Sequence, residues 1–155
     1  MKQLVHPVKS NLIISGSDDK SIKFWTFNCS QFSNKSTWFC SQTISQHNSS
    51  VSQISISQDG NKLISCSTKQ IMVMSYSGSK LWQLSEVGVR LSFINNNLFA
   101  YLPWTGKSIY IYKLDSIENQ YVRSRDIAVQ GQKDAFQSYF PAIYIPSKNI
   151  LICKN

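Results

Sequence analysis

Apolar and polar positions alternate with a period of two along most of this chain, and short polar turns break the alternation. No stretch shows sustained helical periodicity. The segment from Leu12 to Trp25, LIISGSDDKSIKFW, shows the plan: an apolar strand, a small Ser/Gly patch, two aspartates, then an alternating strand that ends in tryptophan. A hairpin follows from this pattern, because Ser, Gly and Asp tolerate tight-turn geometry between two strands.

The plan recurs. KLISCSTKQIMVMSY from Lys62 and LFAYLPWTGKSIYIYKL from Leu98 repeat it, and ILICKN from Ile150 matches its first half. Each copy is preceded by one more strand and a turn: KQLVH through PVKSN, VSQISIS through QDGN, VRLSFI through NNN, and AIYI through PSKN. A further strand follows each of the first three hairpins, TWFCSQTI, KLWQLSE and YVRSRDI. The unit is therefore four strands, in chain order from inner to outer.

Equivalent hairpin positions give the spacing, 49 residues from Ile22 to Ile71 and 38 from Ile71 to Ile109. These intervals bracket the period of about 40 to 45 residues of a propeller blade. A lone four-stranded sheet cannot bury both faces, and stacking blades around an axis solves that problem. The expected architecture is all-β: a β-propeller fragment of about three and a half four-stranded antiparallel blades. The expected blades span approximately 2–44, 51–86 and 89–128, with a truncated one at 140–155, in a single repeat region over 1–155.

ISGSDDKSIKFW resembles the signature of the WD-repeat (G-protein beta-like) propeller family, and VSQISISQDGNKLISCS is similar to the inner strands of the same repeat. Gln46-His47 falls where that family has Gly-His. The resemblance implies a structural network that links a His before the inner strand, a Ser or Thr on the second strand, an Asp in the turn and a Trp on the third. Carried over, it takes Ser15 or Ser17, Asp19 and Trp25 from the first repeat and His47 and Ser65 from the second. Lys69 and Met74 stand at the second repeat's Asp and Trp positions, and Gly106 and Tyr112 at the third's.

An open arc of three and a half blades would expose its end faces and sheet edges. The expectation is that the missing blades come from the rest of a longer chain or from a partner.

Composition narrows the chemistry. The net charge is +8, from 13 Lys and 3 Arg against 8 acids, and 26 serines supply much of the polar surface. This balance favours acidic partners. The lysines are dispersed and Arg is scarce, so a nucleic-acid-binding role is weighed as the alternative and not favoured. Cys29, Cys40, Cys66 and Cys153 form no C-x-x-C pair, and His6 and His47 stand far apart, so no metal site is expected. No secretory signal core or membrane-length apolar run occurs, and an intracellular, cytoplasmic protein with reduced thiols is expected.

Asp18 and Asp19 lack the further oxygen ligands of a cation loop, and a turn-holding role is expected. His47 has no G-x-S-x-G elbow to serve, and no phosphate-binding glycine loop occurs. No enzyme and no cofactor are expected.

The functional expectation is a non-catalytic scaffold for protein–protein interaction. Its partner face would be the second-to-third-strand turns, with Lys20, Lys69, Trp104 and Lys107 offered to acidic or phosphorylated peptides. Besides the nucleic-acid or ribonucleoprotein binder, the remaining alternative is a truncated, degenerate copy without stable function.

Overall fold

The computed structural model describes residues 2–5, 9, 11–29, 36–86, 88–103, 108–128, 143–145 and 150–152. All regular elements among them are strands. β1 (Lys2–Val5), β2 (Leu12–Gly16), β3 (Ile22–Cys29) and β4 (Ser36–Ile44) form one antiparallel sheet in chain order. β5 (Val51–Ile56), β6 (Lys62–Ser67), β7 (Ile71–Ser75) and β8 (Lys80–Leu84) form the second. β9 (Gly88–Asn95), β10 (Leu98–Pro103), β11 (Ser108–Asp115) and β12 (Gln120–Ala128) form the third. β13 (Ile143–Ile145) and β14 (Ile150–Ile152) pair as a hairpin. Among the described residues this is a β-propeller fragment with three four-stranded blades and one further two-stranded hairpin.

The sheets stack because their strands alternate. Leu12, Ile14, Ile22, Phe24 and Ile44 of the first sheet meet Val51, Ile54, Leu63, Met72 and Met74 of the second in one buried cluster. The alternate residues Ile64, Cys66, Ile71 and Val73 turn to the other side and meet Leu91, Phe93, Phe99, Tyr101, Tyr112 and Tyr121 of the third sheet. The middle sheet is thus apolar on both faces, which explains the near-continuous run Ile71-Met72-Val73-Met74. Each fully buried aliphatic or aromatic side chain contributes about 1.5–3 kcal/mol of transfer free energy.

First strands of successive sheets are neighbours, β1 beside β5 and β5 beside β9. Side chains tie them together: Gln53 Nε2 donates to the Leu91 carbonyl at 2.9 Å, and the Phe93 amide donates to Ser55 Oγ at 3.0 Å. At one end, the Asp59 amide donates to Asn96 Oδ1 at 2.9 Å and Lys62 Nζ to the Asn96 carbonyl at 2.9 Å. The fourth strand of each sheet is the outer one. Cys66 is buried between sheets, whereas Cys40 lies exposed on outer strand β4. Among the described residues no helix is long and apolar enough to cross a membrane.

Candidate interaction face at the turn end

Two turns and one connector meet at one end of the first two blades. In the β2–β3 turn the Ser17 amide donates to the Ser21 carbonyl at 3.1 Å, and the Lys20 amide to the Ser17 carbonyl at 3.2 Å. Asp19 organises it: its Oδ1 accepts from the Ser21 hydroxyl at 2.5 Å and the Ser21 amide at 2.9 Å. These donors hold the Asp19 carboxyl down at about 2, the Ser21 hydroxyl contributing most. Lys23 Nζ adds an ion pair at 3.5 Å. Lys20 takes the left-handed conformation, with φ of 71°, that the turn requires.

The connector 45–50 lies between this turn and the next. The Val51 amide donates to the Ser17 carbonyl at 3.0 Å, and Ser50 Oγ to the Asp18 carbonyl at 3.4 Å. On the other side Thr68 Oγ1 donates to Ser49 Oγ at 2.9 Å. The β6–β7 turn closes with the Ser67 amide on the Gln70 carbonyl at 2.9 Å, and the Lys69 amide reaches Ser67 Oγ at 3.4 Å.

Inside this frame sits His47, only 5% exposed. Its Nε2 is 2.7 Å from Ser65 Oγ and its Nδ1 is 3.2 Å from Gln70 Nε2. The same Gln70 amide nitrogen donates to the Gln46 carbonyl at 3.1 Å, while Gln70 Oε1 accepts from Asn48 Nδ2 at 3.4 Å. Gln70 therefore points an amide N–H at the imidazole. Burial pushes the His47 imidazole down to about 4, so it is neutral at physiological pH.

The residues named from the family resemblance fall into two groups. Ser15 and Trp25 meet, the indole Nε1–H donating to Ser15 Oγ at 2.9 Å. His47 and Ser65 meet as described. Asp19 turns its carboxylate to Ser21 and Lys23 within its own turn.

Lys69, which sequence counting sets at the acid position of the second repeat, is exposed in the turn, and the side chain that faces His47 is Gln70. The reason is turn length: five residues separate Gly16 from Ile22, but only four separate Cys66 from Ile71. Met74, at the Trp position, is fully buried between the first two sheets. The signal for Gln70 was its place directly before an apolar strand.

Lys20 and Lys69 are exposed at this end, and neither makes an ion pair among the described residues. Trp104 and Lys107 lie outside the described residues. Among the described residues no group of three His, Cys, Asp or Glu side chains converges as metal ligands would.

The model of the WD domain, G-beta repeat, matches residues 3–26 and 38–74. Over these two segments the chain carries the WD repeat. The second matched repeat begins within β4 and runs through β7, so the WD repeat and the blade are offset by one strand. A solved structure of U3-55K is similar over 85% of this chain and 39% of its own, with 22% identity and a TM-score of 0.63. The WD40 repeats of RRP9 match with 22% identity and a TM-score of 0.63 over 85% of this chain and 38% of theirs. Saccharomyces cerevisiae Sqt1 matches with 19% identity and a TM-score of 0.61 over 80% of this chain and 34% of its own. At such identities the likeness is one of fold, and this chain spans well under half the length of each of these propellers. No curated protein matches the chain.

Proposed function

We propose that this chain is a non-catalytic WD-repeat scaffold for protein–protein interaction, working as part of a larger propeller whose other blades come from a longer chain or a partner. The partner face is the turn end of the blades, where Lys20 and Lys69 receive an acidic or phosphorylated peptide; by its place in the repeat, the sequence segment with Trp104 and Lys107 belongs to the same proposal. The observation that carries this reading is the hydrogen-bonded platform of two turns and the 45–50 connector. It fixes the backbone on which Lys20 and Lys69 stand exposed, with no acid paired to them among the described residues. Loops held rigidly by sheets are where scaffold proteins place their contacts, and the net charge of +8 matches an acidic ligand.

Charge reversal tests it. A phosphoserine-containing acidic peptide is titrated against the wild type and against a Lys20→Glu, Lys69→Glu, Lys107→Glu triple variant. Loss of about tenfold or more in affinity, with unchanged thermal unfolding, supports the reading. Equal affinity overturns it. Stronger binding of single-stranded RNA than of the peptide, falling steeply with salt, overturns it in favour of a nucleic-acid binder.

A further inference from the structure

The outer edges of the three sheets are guarded unequally. An exposed edge strand presents unpaired backbone donors and acceptors, and proteins blunt such edges with short strands, charges, prolines or bulges. β8 has five residues and begins with Lys80. β12 has nine, but carries Arg123, Arg125 and Asp126, with Arg123 ion-paired to Asp126 and stacked over Tyr110 at 3.5 Å. β4 also has nine residues, STWFCSQTI, and none is charged or proline.

Among the described residues β4 pairs only with β3. The register runs without interruption from Ser36 opposite Cys29 to Cys40 opposite Trp25, and the bulge comes only after Cys40. Two large aromatics lie exposed on this run, Trp38 at 44% and Phe39 at 45%. They point to opposite faces, as neighbours in a strand must. Trp38 packs against Phe27 with ring centroids 5.3 Å apart, and Phe39 stands opposite Thr26 on the other side. A strand added beside β4 would find an aromatic neighbour above and another below, the kind of cross-strand pair that stabilises sheets.

Charge selects the occupant. The first blade, residues 2–44, carries five lysines against Asp18 and Asp19. Both acids lie in the β2–β3 turn beyond the Ile22 and Ile44 ends of their strands, and Asp19 is taken up by Ser21 and Lys23. No acid lies on β4 or on its neighbour β3, and the chain as a whole carries a net charge of +8. A second copy of this chain would bring the same excess of positive charge and be repelled, whereas an acidic chain would be attracted.

We propose that the outer edge of β4, over Ser36–Cys40, receives an extended acidic segment of a partner protein as a fifth strand, held between Trp38 and Phe39. Main-chain hydrogen bonds supply the pairing and the two aromatics supply the selection of alternate side chains. The site is separate from the turn end and its lysines.

The test uses the full chain and a synthetic peptide of about ten residues that alternates valine and glutamate. Calorimetric titration gives its affinity, and amide hydrogen exchange reports on β4. Two further peptides serve as comparison: the same sequence N-methylated at alternate residues, and a valine–lysine version. Saturable binding of the valine–glutamate peptide with new amide protection at Ser36–Cys40 supports the proposal. So does a loss of about tenfold or more from N-methylation, from lysine replacement and from Phe39→Ser. Trp38→Ser, on the opposite face, is expected to weaken binding by a similar factor, and it keeps the test decisive should Phe39→Ser disturb folding. Equal binding of the N-methylated or lysine peptide overturns the proposal, as does unchanged exchange at β4. Self-association of the chain alone that is lost in Phe39→Ser also overturns it, in favour of a second copy on this edge.

Discussion

His47 Nε2 lies 2.7 Å from Ser65 Oγ, and because the Gln70 amide N–H faces Nδ1, it is Nε2 that carries the proton and donates to the serine. The imidazole is buried, neutral and fixed in one tautomer by a glutamine. Protonating Nδ1 would set an N–H donor against the Gln70 amide donor. The pH dependence follows. The folded-state value is about 4 against an ordinary value of 6.5, so the unfolded chain binds more protons between those two values. Stability is full above pH 6.5 and falls as pH drops towards 4, by on the order of 2 kcal/mol after allowance for solvent screening. Urea unfolding from pH 7.5 to 4 should show this decline, and His47→Gln should flatten it. A decline of equal size in His47→Gln would remove His47 as its source.

Changing Gln70 to an acid tests the tautomer directly. In Gln70→Glu a carboxylate replaces the carboxamide, Nδ1 becomes the protonated nitrogen, and the imidazole pKa rises. The same carboxylate faces the Gln46 carbonyl, which loses its donor, and stability at pH 7 falls by about 1–3 kcal/mol. Nitrogen-15 NMR of the histidine ring distinguishes the two tautomers, and its pH titration gives the shift. Unchanged ring nitrogen shifts would show that Gln70 does not set the proton's position.

The contrast between Gln70 and the rest of the site shows what the sequence carries and what it does not. The strands were readable because burial repeats every second residue, with Leu12 and Ile14 inward on β2 and Leu63 set against Ile64 on β6. The resemblance to the WD-repeat signature named Ser15, Asp19 and Trp25; Ser15 and Trp25 meet, whereas Asp19 bonds within its own turn. Gln70 was hidden twice over. A glutamine beside Lys69 in a polar turn suggests a solvated position, and a turn one residue shorter than its counterpart moves the inward-facing site past the residue that counting selects. The β4 edge was hidden for a different reason: an uncharged strand is ordinary in a core, and only its outer place in the sheet makes the lack of charge significant.

Gly16 sets how closely the first two blades approach. A β-carbon there would lie 2.6 Å from Val51 Cγ1 and 3.1 Å from Val51 Cβ. Retreat is blocked, because the Val51 amide is bonded to the Ser17 carbonyl at 3.0 Å. Gly16→Ala is therefore an overpacking change and should cost about 1–3 kcal/mol. Val51→Ala removes the obstructing methyls, so the double variant should lose less than the sum of the two single losses. Chemical denaturation of all four proteins measures this, and strict additivity would show that Val51 is not what the glycine makes room for.

Trp25 and Ser15 allow the indole hydrogen bond to be weighed separately from packing. Ser15 is 3% exposed and its Oγ accepts from Trp25 Nε1 at 2.9 Å, whereas Trp25 is only half-buried. Trp25→Phe keeps an aromatic ring opposite Ile13 but leaves the buried serine oxygen without that donor. Ser15→Ala leaves the indole N–H near a surface from which water can reach it, which is the cheaper loss. Trp25→Phe should therefore destabilise more than Ser15→Ala, and a double-mutant cycle should return a coupling of about 1 kcal/mol. A coupling near zero would mean that the pair contributes packing alone and that the first blade is held by its apolar face against Val51, Leu63 and Met72.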